Sequence, residues 1–171
     1  SSSSRGLGDV YKRQVNYWQT FRIYKMVINK LFGNVNKKKI GILGFSFKAD
    51  TNDTRESPSI SICKNLLIEG AYLYIHDPKV NEKQISLDLG KEGKENDSKW
   101  FYVKDLEETY KNADAIIILT EWENYKDINW ENVDKKMSSP SWVFDTRRIV
   151  EQKNIKNCDF NFWQVGSGDE I

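Results

Sequence analysis

Lys38-Lys39-Ile40-Gly41-Ile42-Leu43-Gly44-Phe45-Ser46-Phe47-Lys48-Ala49-Asp50-Thr51-Asn52-Asp53-Thr54-Arg55-Glu56-Ser57-Pro58 is the stretch from which the fold can be read. Its first part, Lys39 to Gly44, is an apolar run of the kind that suits a strand buried on both faces of a parallel sheet. A polar loop carrying Lys48 and Arg55 follows and ends on Ser57-Pro58. Serine caps a helix start, and proline fits the first turn, where its missing N–H is harmless. Two cations beside a helix N-terminus, at the carboxyl end of a strand, make an anion site of the kind open α/β sheets offer to phosphorylated ligands.

Downstream of the cap, Ile60, Cys63, Leu66 and Leu67 mark the apolar stripe of a helix that Gly70 ends. Ala71 to His76 reads as a second strand closed by Asp77-Pro78, so the segment forms a β-α-β unit with a right-handed crossover. Residues 79–99 are polar and read as a surface excursion with one helical turn. An extended segment at Trp100 to Val103, a helix over Asp105 to Asn112 and a buried strand over Ala115 to Thr120 come next. Two short helices between Glu123 and Met137, a strand at Trp142 to Asp145 and an edge strand within Asp159 to Val165 complete the pattern. Alternating β and α elements predict a doubly wound, mostly parallel α/β sheet.

Upstream, Phe21, Tyr24, Val27, Ile28 and Leu31 fall on one helical face between Val15 and Phe32, and Gly33 is the stop. Residues 1–14 lack apolar periodicity and read as a non-native leader outside the fold.

Composition limits the partners. The 26 basic and 25 acidic residues nearly cancel, which gives no reason to expect nucleic acid or an anionic membrane surface. No apolar stretch has the length to span a bilayer. Cys63 and Cys158 are too few and too far apart for a disulfide framework or zinc site, and a reduced cytoplasmic setting is the simplest reading.

Each candidate residue has two readings. The Lys48 ammonium either meets a phosphate or is an ordinary solvated loop lysine. Arg55 either joins the helix N–H groups around an anion or pairs with Asp53 or Glu56. Of Arg147 and Arg148, alternation sends one toward the ligand crevice and the other away, with Asp145 placed to hold one of them. Asp77 reads as a turn residue before Pro78. His76 lacks a triad or metal pattern and reads as structural, and neither cysteine has a nucleophile motif. The dinucleotide fingerprint G-x-G-x-x-G is absent, because Gly41 and Gly44 stand alone before a long loop.

The runs Gly44 to Lys48 and Asp53 to Ser57, then Glu69-Gly70-Ala71, His76-Asp77-Pro78-Lys79-Val80, Thr120-Glu121-Trp122 and Phe144-Asp145-Thr146-Arg147-Arg148, together resemble the C-terminal UDP-binding domain of the UDP-glucose/GDP-mannose dehydrogenase family. The Asp-Thr-Arg-Glu-Ser and Thr-Glu-Trp forms resemble its UDP-glucose 6-dehydrogenase branch. The resemblance implies a Rossmann-like domain over 34–171, preceded at 15–33 by the end of a helical dimerisation region. It implies an NAD-dependent enzyme that oxidises UDP-glucose twice to UDP-glucuronate, as a homo-oligomer. Phe47, Lys48 and Arg147 would contact the UDP-sugar and Arg55 would reach NAD. NAD would be bound mainly by a separate N-terminal domain, and the catalytic cysteine would lie outside this chain, leaving it inactive alone. The N-terminal and middle domains would then be its partners. A sibling enzyme acting on GDP-mannose or a UDP-amino sugar, and a non-catalytic nucleotide-binding module, are the alternatives. Two departures stand out: Ala49 where a second lysine is common, and Thr146 where glycine is common.

Overall fold

The computed structural model describes residues 2–90 and 99–168. Six strands form one sheet: β1 (Lys39–Leu43), β2 (Tyr72–His76), β3 (Lys99–Tyr102), β4 (Ala115–Ile118), β5 (Trp142–Asp145) and β6 (Asn161–Gln164). Their order is β3-β2-β1-β4-β5-β6, and every neighbouring pair is parallel. The chain direction of travel therefore reverses between β1 and β4, which is the switch point where such sheets open a crevice at their carboxyl ends.

The sheet is buried on both faces. Ile40, Ile42, Leu73, Ile75, Ala115, Ile117 and Phe144 pack on one side with α2 (Pro58–Ile68) and the end of α1 (Ser2–Lys30). Leu43, Ile116, Ile118 and Val143 pack on the other with α4 (Glu107–Tyr110), α5 (Glu123–Lys126) and α6 (Trp130–Lys136). Alternate residues of β1 and β4 thus enter opposite cores, as the period of a strand requires. Gly41 serves this packing: a Cβ there would lie 2.3 Å from the Thr109 carbonyl oxygen, so α4 can approach β1 only over a glycine.

The elements follow the sequence reading with local differences. Ser57 caps α2 as expected, accepting from the Ser59 N–H, and Pro58 occupies the first turn. The buried stripe of α2 is Ile62, Cys63 and Leu66, with Ile60 and Leu67 on its flanks. Helix α1 begins at Ser2 rather than Val15, although residues 6–19 are all exposed. That half has no packed face, which is why no periodicity announces it. The expected single turn within 79–99 is the two-turn helix α3 (Glu82–Leu89), capped by Asn81 and anchored by the one buried residue Ile85. Residues 91–98 of that excursion lie outside the described residues. The helix expected over Asp105 to Asn112 is confined to α4, because Asn112 is already left-handed with φ +56°. Among the described residues, no helix is long and apolar enough to cross a membrane.

Candidate functional site

The loop after β1 is folded onto the ends of its neighbours by hydrogen bonds. Asp77, at the end of β2, is 3 % exposed. Its Oδ2 accepts the N–H groups of Phe45 (2.8 Å) and Ser46 (3.0 Å) and the indole N–H of Trp122 (3.2 Å). Its Oδ1 accepts the N–H groups of Lys79 and Val80, each at 2.9 Å. The turn residue of the sequence reading is therefore a five-donor node joining the ends of β1, β2 and β4. A buried carboxylate is tolerated because its acceptor sites are filled.

From the other side, Thr120 donates its hydroxyl to the Ser46 carbonyl (2.9 Å), and Ser57 donates to the Phe45 carbonyl (2.9 Å). Gly44 permits the approach. It has φ +95°, and a Cβ there would lie 2.3 Å from Thr120 Cβ. Gly41 in β1 and Gly44 just after it are thus consumed by packing against Thr109 and Thr120, and neither cradles a pyrophosphate. The loop closes on itself through Phe47 N–H to Asp53 O (2.8 Å) and Ser46 Oγ to Lys48 O (2.8 Å).

With the loop so held, Phe47 and Lys48 are exposed at the mouth of a cavity of about 910 Å³ between α1, the length of α2 and the carboxyl ends of β4 and β5. Leu119, Thr146 and Arg147 line its far wall, and Tyr17 and Thr20 line it from α1. Four cations (Arg13, Lys48, Lys64 and Arg147) face one acid (Glu56) among the lining residues, a local excess of positive charge in a nearly neutral chain. Such a wall suits an anion with an apolar part.

Arg147 and Arg148 diverge as alternation predicts. The Arg147 Nε–H donates to the Leu119 carbonyl (2.9 Å) and lies 3.4 Å from Glu121 Oε2. Arg148, left-handed at φ +58°, donates instead to the Val165 carbonyl beyond β6 (3.1 Å). Asp145 does hold Arg147, but through its backbone: Oδ1 accepts the Arg147 N–H (3.1 Å), while Oδ2 accepts from Val150 (2.8 Å) and Gln164 (2.9 Å). Thr146 has no left-handed φ, so this backbone does not require glycine. Its hydroxyl donates to the Ile118 carbonyl (2.6 Å) and ties β5 to β4.

Arg55 stands apart from this group. It is outside the cavity lining and forms a bidentate pair with Asp53, Nε to Oδ1 at 3.0 Å and Nη2 to Oδ2 at 2.8 Å. The guanidinium holds the Asp53 carboxyl down to about 2. Of the two readings of Arg55, the ion pair is the one realised here.

The remaining chemistry-bearing residues are structural. The Tyr125 hydroxyl donates to the His76 carbonyl (3.0 Å) and stands 2.9 Å from His76 Nδ1, so Nδ1 carries the proton and donates to that oxygen. Burial lowers the His76 pKa and favours the neutral ring. Burial pushes the Cys63 thiol far up and the Cys158 thiol up to about 11, so neither is a ready nucleophile.

The model of the UDP-glucose/GDP-mannose dehydrogenase family, UDP binding domain, matches residues 41–152. UDP-glucose 6-dehydrogenase of Bos taurus is 44 % identical over 158 residues, covering 89 % of this chain and 32 % of the relative. UDP-glucose 6-dehydrogenase 1 of Glycine max is 36 % identical over 166 residues, covering 90 % and 35 %. The chain therefore spans about a third of the length of the curated relatives it matches. A UDP-glucose dehydrogenase from Pyrobaculum islandicum shares the fold with a TM-score of 0.65 at 24 % identity, covering 86 % of this chain and 30 % of that one.

Proposed function

The chain belongs to the UDP-glucose/GDP-mannose dehydrogenase family, and on that premise we propose that its cavity holds the nucleotide end of UDP-glucose in an NAD-dependent UDP-glucose 6-dehydrogenase. One observation carries the reading. Phe47, Lys48 and Arg147, more than ninety positions apart at the extremes, line a single cation-rich cavity at the switch point of the sheet.

Each residue has a distinct physical task. The Lys48 ammonium is a mobile point charge for a phosphate oxygen. Arg147 offers a planar fork whose Nη groups make paired, charge-assisted bonds to the diphosphate. The exposed Phe47 ring supplies an apolar face for the uracil or the sugar. Together they fix the ligand, so that its C6 alcohol is presented to chemistry performed by other parts of a longer polypeptide.

NAD accepts the hydrides when UDP-glucose is oxidised twice to UDP-glucuronate. The residues of this chain fit only a marginal role in holding it. Gly44 is packed against Thr120 and cannot form a pyrophosphate cradle, and Arg55 reaches a cofactor only after releasing Asp53. We assign NAD chiefly to a separate N-terminal domain. With neither Cys63 nor Cys158 in a nucleophile motif, these residues act as one wall of a composite site, without dehydrogenase activity alone. In the whole protein that site is completed by the N-terminal and middle domains within a cytoplasmic homo-oligomer.

Calorimetry on this chain with UDP-glucose, GDP-mannose and NAD tests the proposal. The expected result is measurable binding of UDP-glucose, weaker binding of GDP-mannose and none of NAD. A preference for GDP-mannose, or no heat with millimolar UDP-glucose, overturns it.

A further inference from the structure

We infer that Glu121 is a positioning residue for the Arg147 guanidinium, holding its Nε edge so that both Nη groups stay free for the ligand. This role rests on the binding function proposed for Arg147. Glu121 Oε2 is shielded from solvent and has no hydrogen-bond partner among the described residues. A desolvated carboxylate oxygen without a donor is costly, and the only cation beside it among the described residues is the Arg147 Nε at 3.4 Å. The same Nε–H is already committed to the Leu119 carbonyl at 2.9 Å, two residues before Glu121. Neither Nη of Arg147 donates to any described residue. The Nε–H is thus engaged by the segment after β4, and the two Nη groups are unused.

The backbones on both sides are pinned, so the arrangement cannot relax by moving a loop. Thr120 is held by its bond to Ser46 and Trp122 by its bond to Asp77, which fixes Glu121 between them. Arg147 is held by Asp145 and by the Thr146 bond to Ile118. Side-chain rotation is the freedom left to Arg147, and the Leu119 carbonyl and the Glu121 carboxylate restrain it together. Binding then need not immobilise a flexible arginine, which is the gain of preorganisation. The same carboxylate also restrains the guanidinium from rotating toward the solvent, where it would meet bulk anions rather than the ligand.

Titration of the chain with UDP, followed by amide and arginine Nε–H resonances in NMR, tests the assignment. Glu121→Ala is expected to weaken UDP binding roughly three- to tenfold, the size of one restored side-chain freedom. Glu121→Gln keeps an acceptor and is expected to recover most of the loss. In an Arg147→Ala background, Glu121→Ala is expected to change the dissociation constant by less than about twofold, because the two act as a unit. The Arg147 Nε–H signal should be sharp in the parent and broadened in Glu121→Ala, which a loop merely destabilised elsewhere would not produce. Arg147→Ala binding like the parent, or a parent without UDP binding, overturns the function proposed for the cavity and the role of Glu121 with it. Arg147→Ala weakened while Glu121→Ala stays normal overturns the positioning role alone. So does an equal loss from Glu121→Ala in both backgrounds.

Discussion

The Asp77 carboxylate lies 2.8 Å from the backbone nitrogen of Phe45, and this contact sets where the residues after β1 can go. Phe45 and Ser46 donate to one oxygen of Asp77, and the very next residues, Phe47 and Lys48, emerge at the cavity mouth. The functional loop is thus aimed by a carboxylate on the neighbouring strand end.

Replacing Asp77 with alanine strands five donors, two of them on the buried backbone of Phe45 and Ser46. The expected cost is about 3 kcal/mol or more, since hydrogen bonds to a charged acceptor are worth about 1.5–3 kcal/mol each and buried orphans add to that. Asp77→Asn keeps the shape but exchanges one acceptor for a donor, and should cost less. Urea unfolding curves of the two variants read both values; an alanine variant within experimental error of the parent contradicts the node.

Gly44→Ala should be at least as damaging as an ordinary overpacking change. The new Cβ would fall 2.3 Å from Thr120 Cβ on a backbone at φ +95°. Overpacking alone costs about 1–3 kcal/mol, and the left-handed backbone adds roughly 1–2 kcal/mol. Gly33→Ala, left-handed at φ +74° with nothing near its Cβ, shows the backbone component by itself. The difference between the two denaturation midpoints measures the steric part.

Lys48→Ala and Arg147→Ala are each expected to weaken UDP-glucose binding by about 1–3 kcal/mol, the range for charge-assisted contacts. Arg55→Ala should leave it unchanged, because Arg55 is outside the cavity lining and engaged with Asp53. In a full-length dehydrogenase the same Arg55 change should raise the apparent constant for NAD. Calorimetry and steady-state kinetics separate the two outcomes.

His76 predicts a specific acid sensitivity. Its folded pKa is lowered by burial below the ordinary value of 6.5, so the unfolded chain binds the proton more readily. The stabilising contribution is complete above about pH 6.5 and is lost as pH falls through that value toward the folded pKa. Asp53, held down to about 2 by Arg55, titrates in a separate window below its ordinary 3.8. Denaturant midpoints between pH 7.5 and pH 5 should fall more steeply in the parent than in His76→Gln, by roughly the one-proton slope of linkage.

Thiol modification offers a simple check on the cysteines. Cys158, half-buried and raised to about 11, should react slowly at neutral pH, and Cys63 only on unfolding. Rapid labelling of two thiols in the folded chain would contradict the packing of α2 against the sheet.

Much of this was readable residue by residue. The apolar run Lys39 to Gly44, the cap Ser57-Pro58 and the strands ending at His76 and Asp145 are each announced by neighbours within a few positions, and each stands where expected. Lys48 and Arg147 stand out as candidates because they follow strand ends, whereas Phe47 enters only through the family resemblance. Asp77 and Glu121 do not stand out, although both sit in motifs visible in the chain. Asp77 resembles any aspartate before a proline until Phe45, Ser46 and Trp122 are brought to it. Glu121 resembles a surface acid until Arg147, on another strand end, is placed beside it. Helix α1 shows the opposite failure, since an exposed helix carries no stripe to betray it.

Local chemistry along the chain is enough to set the elements, their order and the positions of the cations, because apolar alternation, caps and turns act over only a few bonds. Three-dimensional packing alone sets which strand ends become neighbours, and so which distant side chains share a wall. The strand order β3-β2-β1-β4-β5-β6 puts residues 47, 119 and 147 on one rim, and no short stretch of the polypeptide encodes that adjacency. It arises from burying both faces of the sheet at once, a condition that depends on the whole chain.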